Sequence, residues 1–445
     1  MRKAKRFFVL GLSVVLCCMS FTGCESRGES TLLRGAESAI ALSYEDETEG
    51  LARILEKTEK FAAAFADAAF QEYAEGMFEK GQNLAVSPVS VFMALSMAAE
   101  SAAGETREEI LSALNVSYAE LSSDFEYLYS ALNREYRSGV VRLSNSVWVS
   151  EGTQVRQECL DTLAEKFFCS SYAADFAGDN QAANDAVRSF VKEQTNGLID
   201  KDFQLLRETY FALINALYLK DSWNTSGNDL SFTERDYTFT GEDGKTSTQK
   251  FLQGYYNTGR IVEKESFTTF FTATHAGFKI KFILPKDGYS VADVFTEENL
   301  AFVGQLEDYK GFDAENKILY ETRCLFPEFR ASFDQDIIKI LQSFGINQLF
   351  DEQSCDLTFL MEKQSMDKGN AYCYNLQHVT ELSVDKKGIE GAAVTVVAGG
   401  ATSAEEFTRV REEFVVNKPF GFILSDPYGT TLFSGAVQSI EQKGK

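Results

Sequence analysis

Residues 372–384 alternate between apolar and polar side chains, the pattern of a β-strand with one buried face and one exposed face. One face is apolar and contains Tyr374, Leu376, Leu382 and Val384. The other face is polar and contains Asn375, Gln377, Glu381 and Ser383. The alternation therefore predicts a strand over these residues.

The segment that follows, residues 388–403, is small, weakly polar and almost uncharged. Continued alternation assigns one face to the small or apolar residues Ile389, Gly391, Ala393, Thr395 and Val397. The only charged residue, Glu390, falls on the opposite face. Glycine and a lack of bulk make this a poor strand in isolation. The pattern is typical of a segment that can exist as a loop and as a strand, although composition alone also fits an ordinary surface linker.

Two polar residues fall on apolar faces. His378 shares the apolar face of the strand at 372–384, and Asn215 lies inside the apolar run at 210–219. A buried polar group without a hydrogen bond costs about 1–3 kcal/mol, so each residue needs a partner. The two residues are candidates to partner each other. Alternation fixes faces and not neighbours, so two unrelated core residues with separate partners remain the alternative.

Helical and strand patterns alternate along the rest of the chain. Residues 51–78 have apolar side chains at helical spacing, which predicts a long amphipathic helix. Further strands are predicted at 140–149, 210–219, 278–284, 318–326 and 420–424. With only five prolines and no low-complexity tract in 445 residues, residues 51–445 are expected to form one large α+β domain.

The N-terminus has the layout of an export signal. Residues 1–23 carry four basic side chains and then an apolar run that is too short to remain in a membrane. The last residues before Cys24 resemble the bacterial lipoprotein box, which predicts acylation of Cys24 and a flexible tether over residues 24–50. The protein is then extracytoplasmic and lipid-anchored to the cell membrane. A plain signal peptide with an incidental cysteine is the alternative and makes the protein secreted.

Charge and composition exclude several classes of function. Loss of the four basic residues of the signal lowers the net charge from −23 to −27, which argues against nucleic acid as a partner. The two histidines, His275 and His378, have no metal-ligand spacing, and no phosphate loop or nucleophile elbow is present. We therefore expect no metal, no cofactor and no enzymatic activity. Five cysteines remain after the N-terminal ones, at irregular positions, and are predicted to be buried free thiols.

Eight short segments, taken together, resemble the motifs of the serpin family and follow one another in the family's order. They are residues 83–90 (NLAVSPVS), 104–110 (GETREEI), 213–223 (LINALYLKDSW), 283–285 (ILP), 325–329 (LFPEF), 344–346 (FGI), 417–420 (NKPF) and 432–435 (LFSG). The resemblance extends from about Thr58 to Val437. It implies a serpin fold: a mixed, multi-stranded central sheet, two further sheets, about eight to nine helices and an exposed reactive-centre loop over residues 388–413.

The resemblance also assigns roles to residues. It implies a polar cluster under the central sheet, called the shutter in this family, formed by Ser87, Ser90, Asn215 and His378. Trp223 matches the residue at the top of the sheet where the loop inserts, a region called the breach. The loop hinge corresponds to Gly388, Ile389, Glu390, Gly391, Ala392, Ala393, Val394 and Thr395. The implied function is inhibition of a serine protease as a suicide substrate, in which the cleaved loop inserts into the central sheet and traps the acyl-enzyme.

The reactive bond is placed by counting from Gly388 in the family's register, which gives Thr402–Ser403. Arg409 and Arg411 are alternatives, because the stretch before residue 417 is longer than usual. Threonine suits elastase-like or subtilisin-like proteases and arginine suits trypsin-like ones, while a cysteine protease is a further possibility. The inhibitor is expected to be a monomer that meets the membrane only through its lipid. Lys386, Ile389 and Gly391 differ from the residues usual in the family, which leaves a non-inhibitory surface binding protein as the alternative function.

Overall fold

The helices lie mostly in the first half of the chain. A computed structural model describes residues 30–39, 49–223, 230–256, 259–306, 309, 311–313, 315–362, 371–374, 376–389 and 408–440. The α-helices within these residues are α1 (Glu49–Glu79), α2 (Pro88–Ser101), α3 (Gly104–Leu114), α4 (Tyr118–Leu132), α5 (Gln157–Lys166), α6 (Asn180–Gln194), α7 (Val291–Val294), α8 (Glu297–Gln305) and α9 (Ile338–Ser343), followed by a 3₁₀ turn at Gln348–Phe350. None of the helices in these ranges is both long enough and apolar enough to cross a membrane.

The strands run through the whole described chain. The first eleven are β1 (Ser30–Arg34), β2 (Leu84–Val86), β3 (Arg134–Glu135), β4 (Gly139–Ser150), β5 (Cys169–Ala174), β6 (Phe211–Ser222), β7 (Ser231–Phe232), β8 (Tyr237–Thr240), β9 (Thr246–Gln249), β10 (Leu252–Tyr256) and β11 (Val262–Glu263). The remainder are β12 (Phe267–Ala273), β13 (Lys279–Pro285), β14 (Phe312–Asp313), β15 (Ile318–Phe326), β16 (Phe329–Asp336), β17 (Gln377–Asp385), β18 (Gly388–Ile389), β19 (Thr408–Val415), β20 (Phe420–Ser425) and β21 (Thr431–Val437).

One large sheet dominates the fold. Its strands follow the order β1-β5-β4-β6-β18-β17-β16-β2-β21-β20-β13-β12-β11, with β3 paired to β4. Strand β2 joins the two halves, because it pairs with β16 at Leu84 and with β21 over its full length. A smaller sheet contains β14, β15, β10 and β7, with β19 on β15, and β8 and β9 form a separate ribbon. This mixed architecture confirms the predicted α+β class.

The core lies between the helices and the inner face of the large sheet. Helix α1 buries a stripe of apolar side chains at helical spacing, among them Ile54, Phe61 and Phe65. Helix α2 is buried on nearly every side, because it packs between α1 and β6. The polar residues at the start of α2 therefore lie directly beneath the centre of the sheet.

The predicted elements are found, with differences at several of their ends. The first helix begins at Glu49, close to the predicted start, and all six predicted strands occur. The strand predicted from residue 372 begins at Gln377. The reason is that earlier residues bond to loops: the Cys373 N–H donates to the carbonyl of Leu349, and the hydroxyl of Tyr374 accepts from the N–H of Leu206.

The predicted tether does not hold over residues 30–34. These residues form β1, which pairs antiparallel with β5 and becomes the edge of the large sheet. Arg34 fixes the end of the strand through an ion pair with Asp161 at 3.0 Å. The sequence did not indicate this strand, because two adjacent leucines, Leu32 and Leu33, break the alternation and both side chains are exposed.

Candidate functional site

The short strand β18 lies between two long strands at one end of the large sheet. Gly388 pairs with Ser222 of β6 and Asp385 of β17, and Ile389 pairs with Asp221 and Val384. Both pairings are antiparallel, and the Ile389 side chain is 1% exposed. The first two residues of the predicted hinge are therefore already a strand of the sheet.

Gly388 is required at its position. Its φ of +141° lies in a region that other residues rarely adopt, and an added Cβ would lie 2.1 Å from the carbonyl oxygen of Asp221. Any side chain at residue 388 would therefore force β18 away from β6.

Trp223 lies at the same end of the sheet. Its side chain is 3% exposed, and its indole N–H donates to the carbonyl of Asp385 at 2.7 Å. The ring packs edge to face against Phe326, with centroids 5.7 Å apart. Trp223 thus links the end of β6 to the turn that connects β17 to β18, which is where the family resemblance implies that the loop enters the sheet.

Below β18, the strands β6 and β17 continue side by side, and no described strand lies between them. We call this space the cleft. A cavity of about 60 Å³ occupies its centre and is lined by Ser90, residues 213–217 and His378. A second cavity of about 60 Å³ continues toward Leu205 and Leu376. Two strand edges thus face each other across a narrow space, an arrangement that can accept an additional strand.

His378 lies on the inner wall of the cleft and is hydrogen-bonded from below. The N–H of Ser87 donates to Nε2 of His378 at 3.0 Å, and the hydroxyl of Ser87 donates to that of Ser90 at 3.0 Å. Burial lowers the pKa of His378 to about 3. Because Nε2 is an acceptor, the imidazole is neutral and carries its proton on Nδ1. A histidine in this state is a poor general base.

Asn215 lies on the opposite wall. Its amide nitrogen donates to Oδ1 of Asn145 at 2.7 Å, while its own Oδ1 is buried and has no partner among the described residues. No hydrogen bond joins Asn215 to His378 in the described part of the chain, although both residues line the central cavity. The structure thus links Ser87, Ser90 and His378 by hydrogen bonds and leaves Asn215 across the cavity from them.

The sequence pattern does not identify Asn145 as part of this cluster. It is the direct cross-strand neighbour of Asn215, since β4 and β6 pair in register at these two residues. Asn145 also donates to the carbonyl of Phe167 at 2.9 Å and is 2% exposed. A polar residue within the strand predicted at 140–149 was the only available signal, and strand pairing cannot be read from one sequence.

The alternative reactive residues, Arg409 and Arg411, lie within β19. This strand pairs in parallel with β15 over eight residues, from Thr408 to Val415. Arg411 forms an ion pair with Glu321 at 3.1 Å, and Arg409 contacts the same carboxylate. Hydrogen bonds from these two arginines lower the pKa of Glu321. A protease binds its substrate as a separate extended chain, so this pairing argues against cleavage after either arginine.

Several of the remaining predicted site residues lie outside the part of the chain that the structure describes. Cys24, Thr402, Ser403 and hinge residues 390–395 lie outside the described residues. Lys386 lies in the turn before β18, where its backbone N–H donates to Glu328 at 3.0 Å. Within the described ranges, no group of histidine, cysteine and acidic residues could hold a metal ion. Cys159, Cys169, Cys324 and Cys355 are buried free thiols, as the sequence predicted, and burial raises their pKa values. Cys373, the fifth cysteine, is only half-buried, so the prediction of a buried thiol is wrong at this position.

The chain was compared with known families and proteins. Residues 60–440 match the family model described as Serpin (serine protease inhibitor). Iripin-1 of Ixodes ricinus is 28% identical over 376 residues, which cover 81% of this chain and 89% of that protein. Human neuroserpin is 24% identical over 398 residues, which cover 85% and 93%. The crystal structure of the thermophilic serpin tengpin in its native state aligns with a TM-score of 0.72 at 22% identity, covering 93% of this chain and all of tengpin.

Proposed function

The chain belongs to the serpin family, and from this we propose that it inhibits a serine protease as a suicide substrate. In this proposal, the protease cuts the segment that follows β18, and the freed part of the segment extends β18 into the cleft. The supporting observation is that Gly388 and Ile389 already pair with both walls of the cleft. In this proposal, the intact protein already contains the first two residues of the inserted strand.

The sequence after Ile389 fits such an extension. If the alternation of β18 continues, the inward positions would be Gly391, Ala393, Thr395 and Val397, none of which carries a charge or a large side chain. The same alternation would assign Glu390 to the outer face, where its carboxylate would stay in water. Insertion therefore buries no unpaired charge, which would cost several kcal/mol.

The proposed trap depends on a competition between two steps. The hydroxyl of the protease serine attacks the carbonyl of Thr402 and forms an ester, while the bond to Ser403 breaks and the new amino group takes the proton. Water would normally hydrolyse this ester and release the protease. Insertion displaces the covalently attached protease, so that its catalytic groups lose the geometry needed to hydrolyse the ester. The complex therefore persists.

The proposed target has a small specificity pocket. Thr402, the residue before the proposed reactive bond, suits elastase-like or subtilisin-like proteases. A trypsin-like protease would need Arg409 or Arg411, and both are held in β19 by its pairing with β15. We therefore favour elastase-like and subtilisin-like proteases. A cysteine protease with a pocket of similar size is a further candidate.

The experiment that tests this function is a gel assay with proteases of each class. Incubation with an elastase-like or subtilisin-like protease is expected to give a covalent complex that survives SDS. The peptide released from the complex is expected to begin at Ser403, which mass spectrometry can determine. Cleavage without a complex by all three classes would instead support the alternative, a serpin-fold surface protein whose loop is cut without trapping.

We also propose that the protein is exported and held at the cell membrane by a lipid on Cys24. The support is the layout of residues 1–24, with basic residues, a short apolar run and small residues before the cysteine. In cells fed a labelled fatty acid, the full chain is expected to incorporate label. A Cys24→Ser variant is expected to incorporate none, and equal labelling of both chains would contradict this proposal.

A further inference from the structure

Strand β1 enters the large sheet at the end opposite to β18. It begins at Ser30, which pairs with Ala174 of β5, and Ala174 pairs in turn with Ser150 at the end of β4. At its other end, β4 begins at Gly139, which pairs with Asp221, the residue of β6 that also pairs with β18. We call the end of the sheet with Ser30 the lower end and the end with β18 the upper end.

The two ends of the sheet are far apart. Gly139 and Ser150 are eleven residues apart in one continuous strand. Each residue of a strand adds about 3.3 Å, so the lower and upper ends are separated by about 36 Å along the strands. A group attached just before Ser30 and the segment that leaves β18 after Ile389 therefore start at opposite ends of the protein.

Contacts beyond the strand pairing hold β1 on the body of the protein. The guanidinium of Arg34 forms an ion pair with Asp161 of α5 at 3.0 Å. Two residues further on, the N–H of Ala36 donates to the hydroxyl of Ser170 in β5 at 3.1 Å. The chain from Ser30 onward is thus part of the folded body and does not act as a separate linker.

This docking shortens the link between the body and the proposed lipid. If all residues from Cys24 to the start of α1 formed a flexible linker, its root-mean-square span would be roughly 25–30 Å, and the body could turn freely. Because Ser30 is docked, only five residues separate Cys24 from the sheet. Fully extended, this link spans about 20 Å. The lower end is therefore held close to the lipid, at a distance shorter than the length of the sheet.

Charge opposes an arrangement in which the protein lies flat on the membrane. Without the signal, the chain has a net charge of −27, so an anionic lipid surface repels the body. The lower end is also acidic, since Glu151 and Asp175 directly follow Ser150 and Ala174. The body therefore extends away from the surface to which its lower end is tied.

We propose that β1 orients the protein on the membrane, with the lower end of the sheet toward the lipid surface and the upper end away from it. This inference rests on the proposed lipid at Cys24 and on the proposed inhibition. The segment after β18 then meets its target protease in the aqueous phase, roughly 40–55 Å from the lipid surface. A protease whose active site lies close to the same lipid surface is out of reach.

The test measures energy transfer from a dye on the protein to an acceptor on lipid headgroups. The full acylated chain is placed in vesicles of phosphatidylcholine and phosphatidylglycerol. The dye is attached at Glu151→Cys near the lower end or at Lys387→Cys near the upper end, and both positions are exposed. The chain without either substitution gives the background from the half-buried Cys373. Transfer is expected to be several-fold stronger from the lower label.

Variants of β1 connect this orientation to the strand. Neighbouring N–H groups of a strand point to opposite sides, so Thr31→Pro with Leu32→Pro removes a donor to β5. Adding Arg34→Glu replaces the ion pair with Asp161 by repulsion. In this triple variant β1 is released and the two labels should give similar transfer. Arg34→Lys keeps the charge and should preserve the difference.

The outcomes separate this inference from the proposals on which it rests. Equal transfer from the two labels in the wild-type chain, or stronger transfer from the upper label, would overturn the inference and leave both proposals standing. The same holds if the triple variant keeps the full difference between the labels. If Cys24 carries no lipid in cells, the membrane proposal and this inference fail together, and trapping of a protease in the gel assay is unaffected.

Discussion

The backbone N–H of Ser87 donates to Nε2 of His378 at 3.0 Å, beneath the centre of the large sheet. This bond requires a neutral imidazole. Protonation would place a hydrogen on Nε2, which could then no longer accept from the N–H of Ser87. The positive end of α2, which begins at Pro88, also disfavours a charged ring at this position. The state of one histidine is therefore coupled to the contact between α2 and the wall of the cleft.

This coupling predicts that acid weakens the native state through His378. Burial lowers its pKa from 6.5 to about 3, so the unfolded chain binds a proton that the folded chain does not bind. The stability that the neutral ring contributes is complete above pH 6.5 and is lost as the pH falls toward 3, by up to about 1.4 kcal/mol per pH unit. Urea midpoints from pH 7 to pH 4 should fall more steeply for wild type than for His378→Gln, which does not titrate. Parallel curves would contradict the assignment.

Asp426 is predicted to weaken the native state as the pH rises, which is opposite to the pH dependence that His378 contributes. It lies in the turn between β20 and β21, where its Oδ1 accepts from the N–H groups of Tyr428 and Thr430 at 3.0 and 2.7 Å. Burial raises its pKa from 3.8 to about 7, so the folded chain holds a proton that the unfolded chain releases. Stability from this group is complete below pH 3.8 and is lost as the pH rises to about 7. Asp426→Asn, which keeps the acceptor, should flatten this decline in urea midpoint, and an unchanged slope would refute it.

Gly388→Ala is predicted to expel the hinge from the sheet. The added Cβ would lie 2.1 Å from the Asp221 carbonyl oxygen, and the φ of +141° adds backbone strain, for a total cost of about 1–3 kcal/mol. The variant should therefore show faster amide hydrogen exchange at residues 388 and 389. Gly76→Ala in α1, where no atom lies within 4 Å of the new Cβ, is the matched control and should leave the hinge protected. Equal protection in Gly388→Ala and wild type would show that β18 does not depend on this glycine.

Ile389→Arg is predicted to convert the inhibitor into a substrate. Ile389 is 1% exposed between Asp221 and Val384, so arginine at this position would bring a charge into the sheet interior. The yield of covalent complex should fall several-fold while cleavage of the loop continues. Glu390→Arg introduces the same side chain at a position that continued alternation assigns to the outer face, and it should retain most of the yield. An unchanged yield for Ile389→Arg would mean that this register is wrong.

The sequence predicted those parts of the fold that local pattern determines. Strands β4, β6, β13, β15 and β20 and helix α1 were predicted within three residues of their ends, because their alternation or helical spacing reflects one continuous buried face. The start of β17 was predicted five residues early, since alternation cannot show that Tyr374 bonds to a loop. Strand β1 was missed because its pairing with β5 depends on a distant segment.

In the candidate site, too, local pattern predicts some features, while others depend on packing between distant segments. The faces of His378 and Asn215 followed from periodicity, whereas their actual partners, Ser87 and Asn145, depend on how α2 and β4 pack against the sheet. The resemblance to a family brought Ser87 into the predicted cluster. Asn145 could not be found in this way, because only the register between β4 and β6 shows that it lies opposite Asn215.

The proposed inhibition requires that the segment after β18 becomes a strand of the large sheet once it is cut. The most direct test is the thermal unfolding of the protein before and after a single cut at Thr402–Ser403, with both fragments still associated. The cut protein is expected to melt well above the intact protein, because the cleft is then filled by a fully paired strand. A cut protein that melts at or below the temperature of the intact form would contradict the claim.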